Sequence, residues 1–220
     1  TVKGDGSEYL TAILYMAPAD NLEGVNVCAM AEVAGCKAAC LYTAGRGKMN
    51  SVQAGRLRKT MLWRDDRQGF INLLKQDIAK FQAYCLKRNI QPVVRLNGTS
   101  DIMWENYIDM ETEFPMVQFY DYTKIVKRAY KELPANYDLT LSYSEANADY
   151  AKAVLQAHAD TGRNVAVVFR DKDNIPSSFA GSATLDGDKD DLRFLDIPRR
   201  IVALYAKGDA KKDATGFVVG

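Results

Sequence analysis

Two kinds of apolar spacing alternate along the chain. Short runs rich in β-branched and aromatic residues, bounded by turn formers, predict strands at YLTAILYM (9–16), QPVVRLN (91–97), MVQFYDY (116–122), YDLTLSYS (137–144), NVAVVFR (164–170) and RIVALYAK (200–207). Between them, spacing by threes and fours predicts helices over about 50–60, 67–88, 123–132 and 146–160. The clearest is DRQGFINLLKQDIAKFQAYCLKRN, where Phe70, Leu74, Ile78, Phe81 and Cys85 line one face and so belong in a core. The helix over 146–160 turns Tyr150, Ala151, Val154 and Leu155 inward and stops at Gly162, with His158 near its solvated end.

Strands alternating with helices are the pattern of an α/β protein with mainly parallel strands. With no Pro/Gly/Ser linker and no repeat, residues 1–220 read as a single domain, a partial or complete (β/α) barrel-like fold, with an open doubly wound sheet as the alternative. In either architecture the working face lies at the strand C-termini. Polar residues gather there: Arg95, Asn97 and Asp101 after the second run, Asp121 and Lys124 after the third, Ser144 and Glu145 after the fourth.

Composition narrows the function classes. A net charge of +1 gives no global attraction to nucleic acid or anionic lipid, so anion binding needs a local patch. No apolar run approaches the roughly 18 residues of a membrane helix. The leading segment TVKGDGSEYLTAILYM lacks a cleavage site, so secretion is not expected and a reducing cytoplasm is. With a single histidine, a Ser/His hydrolytic triad is not expected, and neither H-E-x-x-H nor G-x-S-x-G occurs.

The four cysteines then stand out. Cys28, Cys36 and Cys40 fall in NVCAMAEVAGCKAACLYTAGRG with spacing C-x7-C-x3-C, just after the first strand and its loop, whereas Cys85 belongs to the helix core. Thiolates are soft ligands for iron–sulfur clusters, zinc and copper. Structural zinc wants four ligands, and neither a second C-x2-C knuckle nor a nearby histidine is available. Three thiolates suit a 4Fe–4S cluster whose fourth iron is open or held by another group. The plainer alternative is that Cys36 and Cys40 share one face of a small-residue helix and simply pack.

The adjoining GRGKMNSVQAGRLRKT holds Arg46, Lys48, Arg56, Arg58 and Lys59 beside Gly45 and Gly47, a combination that grips phosphate or carboxylate but is not a P-loop. Arg46 is its best anion ligand; a solvated helix face accounts for Lys59 as well as binding does. The acidic run DGDKDDLRFLD (186–196) lacks the glycine and glutamate of a calcium loop and reads as a turn with its charges in solvent.

Together, NVCAMAEVAGCKAACLYTAGRG, RLRKT, PVVRLNGTSDIMWE, VQFYDYTK, LTLSYSEAN, NVAVVF, DGDKDDLRFLD and AKGDAKKDATGFVV resemble a family of small phage and prophage proteins known as numbered gene products. The resemblance implies a phage origin and a place in the infected cell's cytoplasm, and implies no activity. In the family's pattern proline follows the first cysteine; Ala29 stands there in this chain. The layout also resembles radical SAM enzymes, which carry a three-cysteine loop after the first strand of a partial barrel. The spacing here is not C-x3-C-x2-C, and no Gly-Gly-Glu-like segment is present to hold S-adenosylmethionine.

The expectation is therefore a phage-encoded iron–sulfur protein. Cys28, Cys36 and Cys40 ligate a 4Fe–4S cluster, and Arg46, Arg95, Asn97, Asp101, Asp121, Lys124, Ser144 and Glu145 line a pocket for a small polar or anionic ligand, with S-adenosylmethionine as one candidate. The alternatives are a nucleic-acid or phosphate binder that stacks bases on Tyr42, Trp63 and Trp104, and a host-interaction protein with structural zinc.

Overall fold

The computed structural model describes residues 8–220, the side chain of Thr43 excepted; residues 1–7, on which the reading of the leading segment falls in part, lie outside the described part. The chain packs as two compact units woven from separated segments. Unit 1 takes the chain up to Cys28, Asn50–Asp121 and Glu132–Asp138; unit 2 takes Ala29–Met49, Tyr122–Lys131 and Leu139–Gly220. No described helix is long and apolar enough to cross a membrane.

Unit 1 is built on β1 (Tyr9–Ile13), β2 (Gln91–Arg95) and the start of β3 (Gln118–Thr123), covered by α1 (Asn50–Asp65) and α2 (Arg67–Leu86), with a one-turn α3 (Met110–Glu113). β1 runs parallel to β2, Tyr9 opposite Gln91, and β2 runs parallel to β3, Val93 opposite Gln118. Asp66 ends one long helix and starts the next, its carboxylate accepting the Gly69 N–H at 2.8 Å as an N-cap. On α2 the expected stripe is the buried one: Phe70, Ile71, Ile78 and Cys85 are buried, while Leu74 and Phe81 are half-buried. Trp63 of α1 packs edge-on against Phe70, Trp104 and Tyr107, with ring centroids 5.2–5.6 Å apart.

Unit 2 contains the rest of β4 (Tyr137–Ser142), then α4 (Ala148–Thr161), β5 (Val165–Phe169), β6 (Ser178–Phe179), β7 (Ser182–Asp186), β8 (Ile201–Tyr205) and β9 (Val218–Val219). β5 is parallel to β4, β8 and β9, and β8 to β7; only the β6–β7 hairpin is antiparallel among these described pairs. Central β5, VAVVF, is almost wholly buried, as a parallel strand covered on both faces must be. Asn147 caps α4 by accepting the Tyr150 N–H at 2.9 Å, and Gly162, with φ of 73°, ends it.

The α/β class with mainly parallel strands is as expected. Barrel closure is not seen: in unit 1 the order is β1-β2-β3, in unit 2 β4-β5-β8-β7-β6, and each run is open. At β5, β4 pairs with Leu141 set opposite Val165 and Ser142 set opposite Ala166, and β9 pairs with Val168 and Phe169, so that β9 continues the edge that β4 leaves. The helix expected over 123–132 is only a five-residue 3-10 turn, Val126–Tyr130, because the stretch before Pro134 is too short to propagate an α-helix. β6, β7 and β9 carry too weak a sequence signal to be foreseen and exist through pairing with their neighbours.

Candidate functional site

The cysteine segment contains neither α-helix nor strand; residues 29–40 run through turns and bends. Cys36 and Cys40 therefore do not share a helix face, which removes the packing alternative in that form. Cys28 falls at the end of unit 1, half-buried, with its N–H donated to Asn26 Oδ1 at 2.8 Å. Cys36 and Cys40 fall in unit 2. Cys36 is 7% exposed, its thiol directed at the Ala31 carbonyl at 3.7 Å, and half-buried Cys40 precedes the 3-10 turn Leu41–Thr43 with extended backbone. No disulfide joins any of the four cysteines. Among the described residues, no three His, Cys, Asp or Glu side chains form a group able to hold a metal ion.

Hydrogen bonds fasten this segment within each unit. In unit 1 the Asp101 N–H donates to the Val27 carbonyl at 2.7 Å, one residue before Cys28. In unit 2 the Ser144 hydroxyl, fully buried, donates to the Ala34 carbonyl at 2.7 Å, and the Thr215 hydroxyl donates to the Gly35 carbonyl at 2.9 Å. Gly35 has φ of 61°, and a Cβ there would sit 2.6 Å from Ala146 Cβ, so only glycine fits the turn that leads into Cys36. Ala39 joins the small core cluster of Ala206, Ala210 and Val218, which anchors the chain just before Cys40.

The residues expected to line a pocket divide by role. Asp121, with no exposed surface, accepts the Asn97 N–H at 2.7 Å, Asn97 Nδ2 at 3.2 Å and the Tyr137 hydroxyl at 2.9 Å. Asn97 Oδ1 accepts from Ser100 Oγ, the Ile102 N–H and Trp104 Nε1 at 2.9–3.1 Å, while its Nδ2 also donates to the Ile102 carbonyl. Asn97 and Asp121 thus meet, but as the centre of a buried fastening that shapes the loop after β2. Ser144 likewise holds backbone through its hydroxyl, and Asp101 does so through its own N–H. Arg95 is half-buried, 6.0 Å from the Tyr120 ring centroid; half-buried Lys124 lies 5.7 Å from the Phe217 ring; Arg46 and Glu145 are exposed. Trp63 and Trp104 are core residues, so they offer no stacking face to a base.

Two expectations about charge and burial are corrected. His158 is not solvated: at 6% exposure its Nδ1 lies 2.6 Å from the Arg163 carbonyl and its Nε2 2.8 Å from Ser182 Oγ, since the chain turns back at Gly162 to meet it. The acidic run does not leave all of its charges in water: Asp186 is exposed, but others are drawn in. Buried Arg193 pairs with Asp190 and Asp196, each at 3.1 Å, and Asp188 pairs with Lys207 and accepts the Tyr205 N–H at 3.0 Å. Burial opposes the Arg193 charge, but the surrounding acidic groups outweigh it and raise the guanidinium's pKa; burial in turn pushes the Asp196 carboxyl up although Arg193 lies beside it. Lys59 is half-buried, and burial together with neighbouring Arg56 lowers its pKa. Arg56 is itself buried, 4.9 Å over the Tyr15 ring. Tyr137, Thr215 and Arg193 carried no sequence signal; only the tertiary contacts reveal their roles.

These features define an α/β protein of mainly parallel strands that carries a fastened, cysteine-bearing segment between β1 and α1. The chain belongs to the family described as Gene product 88, whose model matches residues 1–220. No curated protein and no solved structure matches it.

Proposed function

We propose that this member of the Gene product 88 family is a phage-encoded iron–sulfur protein, working in the infected cell's cytoplasm, that holds a 4Fe–4S cluster through Cys28, Cys36 and Cys40. The observation that carries the reading is what remains of the soft ligands. Cys85 is fully buried on α2, where burial raises its thiol pKa and keeps it protonated, and both ring nitrogens of His158 are engaged. The other three thiols share one segment. They are too few for a structural zinc site and the number a cluster with one non-cysteine position requires. Because no three-ligand group stands assembled among the described residues, the thiolates gather as the cluster binds, in the way metal binding couples to local folding elsewhere.

The open iron of such a cluster supplies a Lewis acid or an electron source toward a small polar or anionic ligand. Exposed Arg46, six positions after Cys40, is the side chain suited to a carboxylate or phosphate on that ligand. Anaerobic expression with iron and sulfide quantification and visible absorbance tests the proposal. Brown protein with iron and sulfide near four per chain, lost in the C28S/C36S/C40S variant and kept in C85S, supports it. Colourless protein, stoichiometric zinc, or iron retained by the triple variant overturns it.

A further inference from the structure

The hydrogen bonds of His158 point beyond the cluster reading. A carbonyl oxygen can only accept, so the 2.6 Å contact with the Arg163 carbonyl places the proton of the neutral ring on Nδ1. Nε2 is then the acceptor, and the Ser182 hydroxyl, 2.8 Å away, donates to it. This is the order nucleophile, base and orienting group, with a backbone carbonyl in the place usually taken by a carboxylate. Histidine near the end of α4 and serine at the start of β7 are 24 positions apart, so no short motif announces them.

The surroundings of Ser182 differ from those of an ordinary buried fastening. It follows a two-residue hairpin turn in which Ala180 and Gly181 have φ of 48° and 81°. Alanine in the left-handed region is strained, and such strain clusters at functional sites. A side chain built at Gly181 would meet nothing within 4 Å, so the approach to the turn is open, and Ser182 itself is half-buried. Ser182 pairs directly with Phe179 across the hairpin, which puts both side chains on the same face. Phe179 packs edge-on against Tyr143 and Phe169, with centroids 5.3 and 5.7 Å apart. An apolar aromatic floor thus adjoins the hydroxyl.

We propose that Ser182 is a nucleophile activated by His158, acting on small uncharged esters with an apolar or aromatic acyl group. Ser182 Oγ attacks the acyl carbon while its proton passes to His158 Nε2. The ester C–O bond breaks, and the departing alcohol takes that proton, leaving Ser182 acylated. Water then attacks the acyl carbon, giving its proton to the same Nε2; the bond from the acyl carbon to Ser182 Oγ breaks, Oγ takes that proton back, and the carboxylic acid leaves. The Arg163 carbonyl holds the ring in place throughout. This activity is independent of the cysteine segment, and its failure leaves the cluster proposal standing.

The full chain is treated with a fluorophosphonate probe, and with p-nitrophenyl acetate as substrate, and adducts are mapped by peptide mass analysis. The comparison variants are S182A and H158N; asparagine still offers an N–H to the Arg163 carbonyl but cannot take a proton. The expected result is an adduct on Ser182 and ester hydrolysis that falls about a hundredfold in H158N and is lost in S182A. No adduct on Ser182, equal labelling of a folded H158N, or undiminished hydrolysis by S182A overturns the proposal. Should H158N fail to fold, S182A, altered only at a half-buried hairpin position, decides.

Discussion

Replacing Asn97 with alanine should be among the most damaging single changes in unit 1. The Asn97 side chain is almost fully buried and makes five hydrogen bonds: to the Ile102 carbonyl and Asp121 Oδ2 through Nδ2, and from Ser100, Ile102 and Trp104 through Oδ1. A net hydrogen bond contributes about 0.5–1.5 kcal/mol, and a buried group left without its partner costs about 1–3 kcal/mol. Ser100 can turn its hydroxyl elsewhere, but Trp104 Nε1 and the Ile102 N–H cannot move without disturbing the packing around Trp63. Discounting the serine and allowing for relaxation leaves an expected loss of about 3–5 kcal/mol. Urea denaturation of parent and variant, followed by tryptophan fluorescence, measures it directly because Trp104 is one of the partners. N97D should also be destabilised, since it sets a second carboxylate 3.2 Å from Asp121 where a donor stood. A loss below about 1 kcal/mol for Asn97→Ala would refute the claim that this network fastens the loop after β2.

Four further outcomes follow. Gly35→Ala should cost about 2–3 kcal/mol in thermal or chemical denaturation, because its φ is positive and the added methyl meets Ala146 and Thr215; in the cluster reading it should also lower iron loading. Arg193→Met should lose about 2–4 kcal/mol, since a buried cation that bridges two carboxylates disappears while Asp196 stays mostly buried, and an unchanged melting temperature would argue against the pairing. Burial alone would raise the Asp213 carboxyl's pKa, but hydrogen bonds from Val218, Thr215 and Gly216 outweigh it and hold the value below the usual carboxylate range. Its contribution is therefore full above that range and lost as pH falls through the lowered value, so acid should destabilise the parent more steeply than D213N. Cys85→Ser, which places a hydroxyl in an apolar core, should cost about 1–3 kcal/mol while leaving any bound iron unchanged.

Legibility followed the strength of the local signal. β5 and α2 could be read directly because VAVVF and the Phe70–Cys85 stripe are long, apolar and regular. The two-residue β6 and β9 could not, because Ser178–Phe179 and Val218–Val219, though Phe and Val favour strands, are too short to show a period. Among site residues, the three cysteines were visible as a spacing. Asn97, Asp121 and Ser144 were visible as polar residues at strand ends, yet their office is to hold backbone, a distinction that depends on which groups face them.

The sequence by itself determined the α/β class, six of the strands, the long helices α1, α2 and α4, the core position of Cys85 and the concentration of thiols between β1 and α1. These depend on periodicity and composition, which act over a few residues. Tertiary structure alone decided that the strands lie in open runs, that Trp63 and Trp104 are core, that Arg193 draws an acidic run inward, and that His158 meets Ser182. Most of those depend on contacts between segments far apart in the chain; the Arg193 pairs are local, three positions each way, but the burial that draws them inward is not, and neither burial nor the need to satisfy buried polar groups is written in the spacing of residues along a single segment.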